Sequence, residues 1–201
     1  MLMKNSEETR KRILHAATEE FASFGIAGAR IDRIAKASRS NKSLIYVHYG
    51  SKEGLFTEVL AQHLKDVYKT VHFTAGDLPG YAAGLFDFAM DHPELMRLVM
   101  WCGLEQRKEW PLDEWSSFDA QLKGIAEAQS GGKVASDYSP RFLLTLILSI
   151  ATAWTAANPF GSSIEPDAVE HRDVLREAIL LAVERICNAR QEQSSGSHSP
   201  R

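Results

Sequence analysis

One short stretch of the chain combines side chains that suit binding to nucleic acids: Arg39, Ser40, Asn41, Lys42 and Ser43. Arginine and lysine donate to the O6 and N7 acceptors of guanine, and serine can contact a base edge or a phosphate. Asparagine is a common cap at the N-terminus of a helix. A helix that begins at Asn41 would present Lys42 and Ser43 at the end that enters the major groove. The chemistry that these residues predict is binding to DNA.

Motifs for catalysis or for metal binding do not occur in the sequence. The 7 histidines are scattered, and there is no HExxH, no GxSxG and no glycine-rich phosphate loop after a strand pattern. The two cysteines, Cys102 and Cys187, are far apart and lack metal-ligand spacing, which favours a location in the cytoplasm. The paired acids Asp113 and Glu114 are interpreted as a solvated helical turn. We therefore expect no enzyme, no metal and no cofactor.

The elements that must position the polar stretch are helices. Apolar residues recur at three- and four-residue spacing, and no strand-like alternation of useful length occurs. A first helix is predicted over residues 6–25, a second over 30–37 and a third over 41–46. Two short helices that follow each other this closely are typical of a helix-turn-helix. The expected fold class is all-α, with about nine helices in the whole chain.

The charges are distributed unevenly along the chain. Residues 1–60 carry a net charge of +3, whereas residues 61–201 carry a net charge of −6, so that the whole chain has −3. A basic N-terminal third on an acidic body is the arrangement expected if only that third meets phosphates. An ordinary solvated helical surface can look similar, so the charge pattern supports DNA binding only weakly.

Residues 28–56 resemble the DNA-binding signature of the TetR family of bacterial transcriptional regulators. The matching elements are Ile34-Ala35, Ile45-Tyr46, Tyr49 and the ending Ser51-Lys52-Glu53-Gly54-Leu55. The likeness extends over roughly residues 8–60, and several separated elements in the right register are more specific than one short motif. Tyr49 is interpreted as a core residue.

The resemblance implies an N-terminal helix-turn-helix domain, residues 1–52, in which Tyr46, His48 and Lys52 contact the DNA backbone. Two arginines near the second helix and the helix N-terminus at Ser51 are further candidates for phosphate contacts. The complete set of predicted DNA-binding residues is Arg30, Arg33, Arg39, Ser40, Asn41, Lys42, Ser43, Tyr46, His48 and Lys52.

The turn of the helix-turn-helix departs from the family pattern. Members usually have Ala-Gly-Val there, whereas this chain has Ser38-Arg39-Ser40. If the turn needs a positive φ at the central position, arginine costs on the order of 1 kcal/mol relative to glycine. Arg39 either adds a contact to DNA or reflects sequence drift, and the sequence does not decide between the two.

A larger C-terminal domain is predicted over residues 53–189, followed by a disordered, serine- and glycine-rich tail over 190–201. A long amphipathic helix runs from residue 51 to a loop at Gly76. Further helices are predicted over 81–91, 93–106, 111–129, 142–157 and 166–189, most of them introduced by proline, which the first turn tolerates.

The last two predicted helices point to a homodimer. No charged residue occurs between Arg141 and Glu165, but the helical part of this segment would rise only about 24 Å, too short for a membrane span. An uncharged helix beside an amphipathic one is better covered by a two-fold, four-helix interface, which is also how TetR-like proteins dimerise. The predicted interface residues are Leu146, Ile150, Leu175, Ile179, Ala182, Val183 and Ile186.

Large, adaptable side chains in the middle of the chain suggest a cavity for an apolar or aromatic effector. Each of them can equally be an ordinary core residue. His92, Arg97, Cys102 and Thr152 are possible polar anchors, and residues 92–98 also resemble a segment of one group of TetR sensor domains. The predicted ligand-binding residues are Phe86, Met90, Met96, Met100, Trp101, Leu104, Trp115, Phe118, Leu122 and Trp154.

Together these patterns predict a cytoplasmic, ligand-responsive repressor that binds a palindromic operator on double-stranded DNA as a homodimer. A small effector would release it by favouring a dimer that does not fit the operator. The alternative is a helical dimeric ligand-binding or interaction protein whose operator specificity is weakened by the Ser38-Arg39-Ser40 turn.

Overall fold

The computed structural model describes residues 2–106 and 118–188, with side chains from Glu7 onward. These residues form helices joined by turns and loops, without a strand, which confirms the all-α prediction. The ten described helices are α1 Leu2–Gly28, α2 Ile31–Ala37, α3 Lys42–Tyr49, α4 Lys52–Thr70, α5 Leu78–Asp91, α6 Pro93–Leu104, α7 Asp119–Ser130, α8 Pro140–Ala151, α9 Pro159–Ile164 and α10 Arg172–Asn188. None of these helices is long and apolar enough to cross a membrane.

The chain divides into two compact units. The first consists of Met1–Tyr68 and His92–Trp115, and the second of Lys69–Asp91 and Ser116–Arg201. The helices α4 and α6 therefore belong with α1–α3, whereas the sequence suggested a boundary after residue 52.

The first unit is built around apolar residues from α1 to α4. Phe21 of α1 and Phe56 of α4 are almost completely buried, and their rings meet edge to face at 5.2 Å, a favoured aromatic geometry. Ile34 of α2 and Ile45 of α3 are fully buried. Burying side chains of this size stabilises a fold by about 1.5–3 kcal/mol each, which fixes the two short helices against the longer ones.

In the second unit, α5 packs against α8 and α10. Phe86 of α5, Ile147 of α8 and Ile179 of α10 are buried between these helices. Two arginines of α10 reach back to α5: Arg172 pairs with Asp87 and Asp91 at 3.3 and 2.5 Å, and Arg176 pairs with Asp87 at 2.8 Å. The apolar stripe and these ion pairs together hold α10 on α5.

Several helix boundaries differ from the predicted ones. The first helix continues past Gly25, where the backbone is non-helical, to Gly28. The predicted helix 142–157 ends at Ala151, because Thr152 has left the helical conformation. The predicted helix 166–189 starts only at Arg172, and a separate short helix, α9, precedes it. The predicted helix 111–129 lies partly outside the described residues, and the predicted tail lies wholly outside them.

Candidate nucleic-acid interface

The turn between α2 and α3 is held by Ser38. Its side chain is 2% exposed, and its Oγ donates to the carbonyl of Ile34 at 2.7 Å. The following residue, Arg39, has φ 54°, so the turn does use the left-handed conformation that family members satisfy with glycine. Arginine adopts it at a cost of about 1 kcal/mol relative to glycine. The Oγ of Ser40 is buried and has no hydrogen-bond partner, which is a second unfavourable feature of this turn.

The third helix begins with the predicted cap. Asn41 has an extended backbone, and its Oδ1 accepts the N–H of Leu44 at 2.7 Å. Ile45 then anchors the helix in the core. Because one face of α3 is fixed in this way, the opposite face points to solvent. The exposed residues of α3 are Lys42, Ser43, Tyr46, Val47 and His48.

Lys42 forms an ion pair with Asp32 of α2. Both side chains are more than half exposed, at 55% and 67%. Ion pairs this exposed contribute only about 0–1 kcal/mol. Lys42 can therefore exchange Asp32 for a base or a phosphate at little cost.

Arg33 does not face solvent freely, in contrast to Arg30, which is exposed. The guanidinium of Arg33 binds the buried carboxylate of Glu20 at 2.6 Å and donates to the carbonyl of Gly28 at 2.9 Å. It also lies 4.3 Å from the centre of the Phe24 ring. The role indicated by these contacts is structural, because Arg33 neutralises a carboxylate that would otherwise be buried unpaired.

Lys52 is likewise engaged within the protein. Its Nζ donates to the carbonyls of Ala27 and Ala29 at 3.3 and 3.2 Å. The hydroxyl of Ser51, at the N-terminus of α4, accepts the N–H of Gly54 at 2.9 Å. Both residues thus support the local fold, and a role of Lys52 on phosphate would require these bonds to be shared or broken.

Val47 was missed by the sequence reasoning, although it is 79% exposed in the middle of the polar face of α3. The signal for it is its position two residues after the buried Ile45, because residues two apart on a helix are rotated by about 200° and therefore face opposite sides. An exposed methyl-bearing side chain on such a face suits contact with a thymine methyl group.

The predicted ligand-binding residues are divided between the two units. Met96, Met100, Trp101 and Leu104 belong to the first unit, Phe86, Met90, Phe118, Leu122 and Trp154 belong to the second, and Trp115 lies outside the described residues. Leu104 is 66% exposed. The indole of Trp101 donates to the carbonyl of Ala22 at 3.2 Å, so that this residue fastens α6 to α1.

One described cavity, about 570 Å³ in volume, lies in the first unit between α1 and α4. None of the predicted ligand-binding residues within the described part of the chain lines it. Its walls carry Arg10 and Glu58, which pair with each other, and His63, whose pKa is lowered from its ordinary value by burial. This polar lining does not suit the apolar effector that the sequence suggested.

A buried polar pair was also missed. Gln121 of α7 is 7% exposed, and Tyr81 of α5 is 6% exposed. The amide of Gln121 donates to the hydroxyl of Tyr81 at 3.0 Å, while its carbonyl oxygen has no hydrogen-bond partner. Buried polar atoms are usually satisfied, so an orphaned acceptor inside the second unit is a candidate anchor for a ligand.

The predicted dimer interface is only partly available to a second chain. Leu175, Ile179 and Val183 are buried within the second unit, because they are the face of α10 that packs on α5. Leu146, Ile150, Ala182 and Ile186 are half-buried and stay predictions. Exposed apolar side chains on the same helices are Phe142, Val174 and Leu181, at 54%, 69% and 47%.

A capped third helix with an outward polar face, packed behind a second helix and a tight turn, defines a helix-turn-helix DNA-binding protein. Comparison with known families supports this class. The family described as bacterial regulatory proteins, tetR family, matches residues 13–59, and the tetracyclin repressor-like C-terminal domain matches residues 77–185. The chain belongs to the TetR family and is a DNA-binding transcriptional regulator.

Individual relatives agree with this assignment. The chain is 35% identical to the HTH-type transcriptional repressor SCO4008 of Streptomyces coelicolor, over 92% of this chain and 98% of the relative. It is 31% identical to the transcriptional repressor NicS of Pseudomonas putida, over about half of each chain, 51% and 52%. The crystal structure of the transcriptional regulator SCO4942 of Streptomyces coelicolor matches with a TM-score of 0.72 and 34% identity, over 89% of this chain and 97% of that one. The names of these relatives describe transcriptional repressors or regulators.

Proposed function

We propose that the protein is a repressor that binds a palindromic operator as a homodimer and leaves it when a small effector binds. The observation that carries this proposal is the exposed face of α3, which presents Lys42, Ser43, Tyr46, Val47 and His48 on a helix anchored by Ile45. A relative that aligns over 92% of the chain is named a repressor, which supports repression rather than activation.

In this proposal the N-terminal part of α3 enters the major groove. Lys42 leaves Asp32 and donates to guanine, while Ser43 contacts a base edge or a phosphate. Tyr46 and His48 contact the backbone, and Arg30 supplies a further phosphate contact, since its side chain is exposed. A symmetric dimer would read two half-sites separated by about one helical turn, roughly 34–36 Å.

The dimer is proposed to form through the exposed parts of α8 and α10. Phe142, Val174 and Leu181 leave apolar surface uncovered in the single chain. Leu146 and Ile186, which are half-buried, would become fully buried in a two-fold contact. Self-association through one apolar patch on each chain is the usual solution in homodimers.

The effector is proposed to bind within the second unit, beside the Gln121 and Tyr81 pair. The side-chain carbonyl oxygen of Gln121 has no partner and can accept a hydrogen bond from a donor on the effector. The aromatic residues nearby suit an effector with an apolar body. Phe73 lies edge to face with Tyr81 at 5.1 Å. The expected effector is therefore a largely apolar or aromatic molecule that carries one N–H or O–H group. It releases DNA only if it binds the DNA-incompetent state more tightly.

The test begins with selection of duplexes from a random DNA library by the purified full-length protein. Fluorescence anisotropy across a salt series then compares the selected duplex with a random one. We expect an enriched inverted repeat that is bound about 10³-fold or more tightly than random DNA. Lys42→Ala should weaken binding to the selected duplex about tenfold, while the matched control Lys123→Ala, in the second unit, should leave it unchanged.

Equal, salt-labile binding of the wild-type protein to both duplexes would refute the proposal. It would favour a helical ligand-binding or interaction protein whose operator specificity is weakened. The strained Arg39 and the orphaned Ser40 hydroxyl are the features that would then account for the loss.

A further inference from the structure

The first helix is interrupted just before it reaches the helix-turn-helix. Gly25 has φ 67° and ψ −178°, a combination that is essentially restricted to glycine. In an uninterrupted helix the N–H of Ile26 would donate to the carbonyl of Ala22. A break at Gly25 leaves both groups in need of other partners, because unpaired backbone groups are costly when buried.

Side chains of α6, and of Glu105 directly after it, provide these partners. One carboxylate oxygen of Glu105, Oε1, accepts the N–H of Ile26 at 2.8 Å and the N–H of Ala27 at 3.1 Å. The carbonyl of Ala22 accepts from Arg97 Nε at 2.7 Å and from Trp101 Nε1 at 3.2 Å. Three residues on successive turns of α6, and just after it, thus satisfy both halves of the interrupted helix.

Trp101 also closes the space around the break. A Cβ added to Gly25 would lie 2.7 Å from Cε3 and 2.8 Å from Cδ2 of Trp101, and 2.9 Å from Oε1 of Glu105. Atoms this close cannot be accommodated without movement. The break is therefore fitted to α6 by shape as well as by hydrogen bonds.

The segment held in this way, residues 25–30, sets the start of α2. The side chain of Ala29 is 4% exposed, and its N–H donates to the carbonyl of Gly25 at 3.1 Å. The N–H of Arg30 donates to Glu20 at 2.8 Å, and Lys52 binds the carbonyls of Ala27 and Ala29. The position of α2, and of α3 behind it, follows from this segment.

The helix α6 belongs to the family's C-terminal domain by sequence and to the first unit by its packing. It lies within the stretch that matches the family's C-terminal domain, residues 77–185, yet it packs on α1 in the first unit. Among the contacts of residues 25–30 described above, the packing of Trp101 against Gly25 and the hydrogen bonds to Glu105 come from this stretch. A shift of α6 would therefore displace residues 25–30, which directly precede α2.

We propose that Glu105, supported by Trp101 and Arg97, is a positioning residue for DNA binding, through which α6 controls the orientation of α2 and α3. This inference rests on the proposed function, because it assumes that α3 reads an operator. Removing the carboxylate frees the N–H groups of Ile26 and Ala27 and lets residues 25–30 fluctuate, so that α3 is no longer preorganised for the groove.

The experiment compares full-length wild type, Glu105→Ala, Glu105→Gln and the matched control Glu94→Ala, which removes the same charge from the other end of α6. Hydrogen exchange of the peptide covering residues 22–30 is measured together with anisotropy on the selected and the random duplex. Circular dichroism verifies that each variant is folded.

For Glu105→Ala we expect faster exchange at amides 26 and 27, about tenfold weaker binding to the selected duplex, and unchanged binding to the random one. Glutamine keeps an acceptor oxygen but loses the charge that strengthens both hydrogen bonds. Glu105→Gln should therefore show faster exchange at amides 26 and 27 and weaker operator binding than wild type, each effect smaller than in the alanine variant, and it keeps the test valid if the alanine variant does not fold.

The inference is overturned if Glu105→Ala, or Glu105→Gln where the alanine variant is unfolded, gives wild-type exchange at residues 22–30. It is also overturned if Glu105→Ala and Glu94→Ala weaken operator binding equally. A wild-type protein that prefers no duplex would instead refute the proposed function, and with it the assumption on which the inference rests.

Discussion

Replacing Gly25 by alanine should destabilise the protein strongly, although it adds a single methyl group. The backbone at Gly25 has φ 67° and ψ −178°, and holding another residue there costs about 1–3 kcal/mol. The new Cβ would also lie 2.7 Å from a ring atom of Trp101. Trp101 cannot simply move away, because its indole donates to the carbonyl of Ala22. Overpacking of this kind costs about 1–3 kcal/mol in addition.

The expected loss is therefore about 2–6 kcal/mol, out of the roughly 5–15 kcal/mol that stabilise a typical domain. Urea unfolding followed by circular dichroism measures it as a lower midpoint at unchanged slope. The matched control is Gly103→Ala in α6. A Cβ there would enter open space, so this variant should be more stable than wild type, by about 0.4–1 kcal/mol.

A loss of less than about 1 kcal/mol in Gly25→Ala would show that the break in α1 is not strained for other residues. The double variant Gly25→Ala with Trp101→Ala separates the two contributions. If the contact with the ring is real, the two changes will be less destabilising together than the sum of the single changes, by about 1 kcal/mol or more. Exact additivity would leave the backbone as the sole cause.

Three further results are expected. Replacing thymine by deoxyuridine at the position that Val47 contacts should weaken operator binding by the wild-type protein about fourfold, which is the effect of one methyl group. Binding by Val47→Ala should not change with this replacement. If the wild-type protein is insensitive to the replacement at every thymine, the contact is excluded. Arg33→Ala should lower the urea midpoint, because it leaves the buried carboxylate of Glu20 unpaired, whereas Arg30→Ala should weaken DNA binding without loss of stability; the reverse pattern would contradict the structural role of Arg33. Since burial lowers the pKa of His63, the unfolded chain binds the proton more readily than the folded one. The free energy of unfolding should therefore fall as the pH drops below about 6.5. His63→Gln should reduce this dependence of the unfolding free energy on pH, and an unchanged dependence would assign it to other groups.

The sequence determined the helical class and the place of the helix that we propose reads DNA. Periodicity needs only the local rule that residues three and four apart share a face, and the cap at Asn41 depends on a contact three residues away. The positive φ at Arg39, 54°, was raised as a condition from the resemblance, because family members usually have glycine at this position. Features that depend on neighbours in the chain were therefore accessible without the tertiary structure.

The partners of the basic residues within the chain were decided only by the tertiary structure. Arg33 and Lys52 look like phosphate-binding residues in the sequence, but Arg33 is bound to Glu20 of α1, and Lys52 to carbonyls that precede α2. A cation binds whichever anion or carbonyl the fold brings within about 3 Å, and spacing along the chain does not reveal which group that is.

The same limit applies to the C-terminal helices. Leu175 and Val183 form an apolar stripe, and the stripe could have faced a second chain or α5 of the same chain. It faces α5, where Leu175 and Val183 are buried, and the remaining side of α10 is left for other contacts. Likewise, Trp101 and Glu105 lie more than 70 residues from the break that they complete at Gly25–Ala27. Periodicity fixes which residues share a helix face, whereas only three-dimensional packing fixes what that face meets.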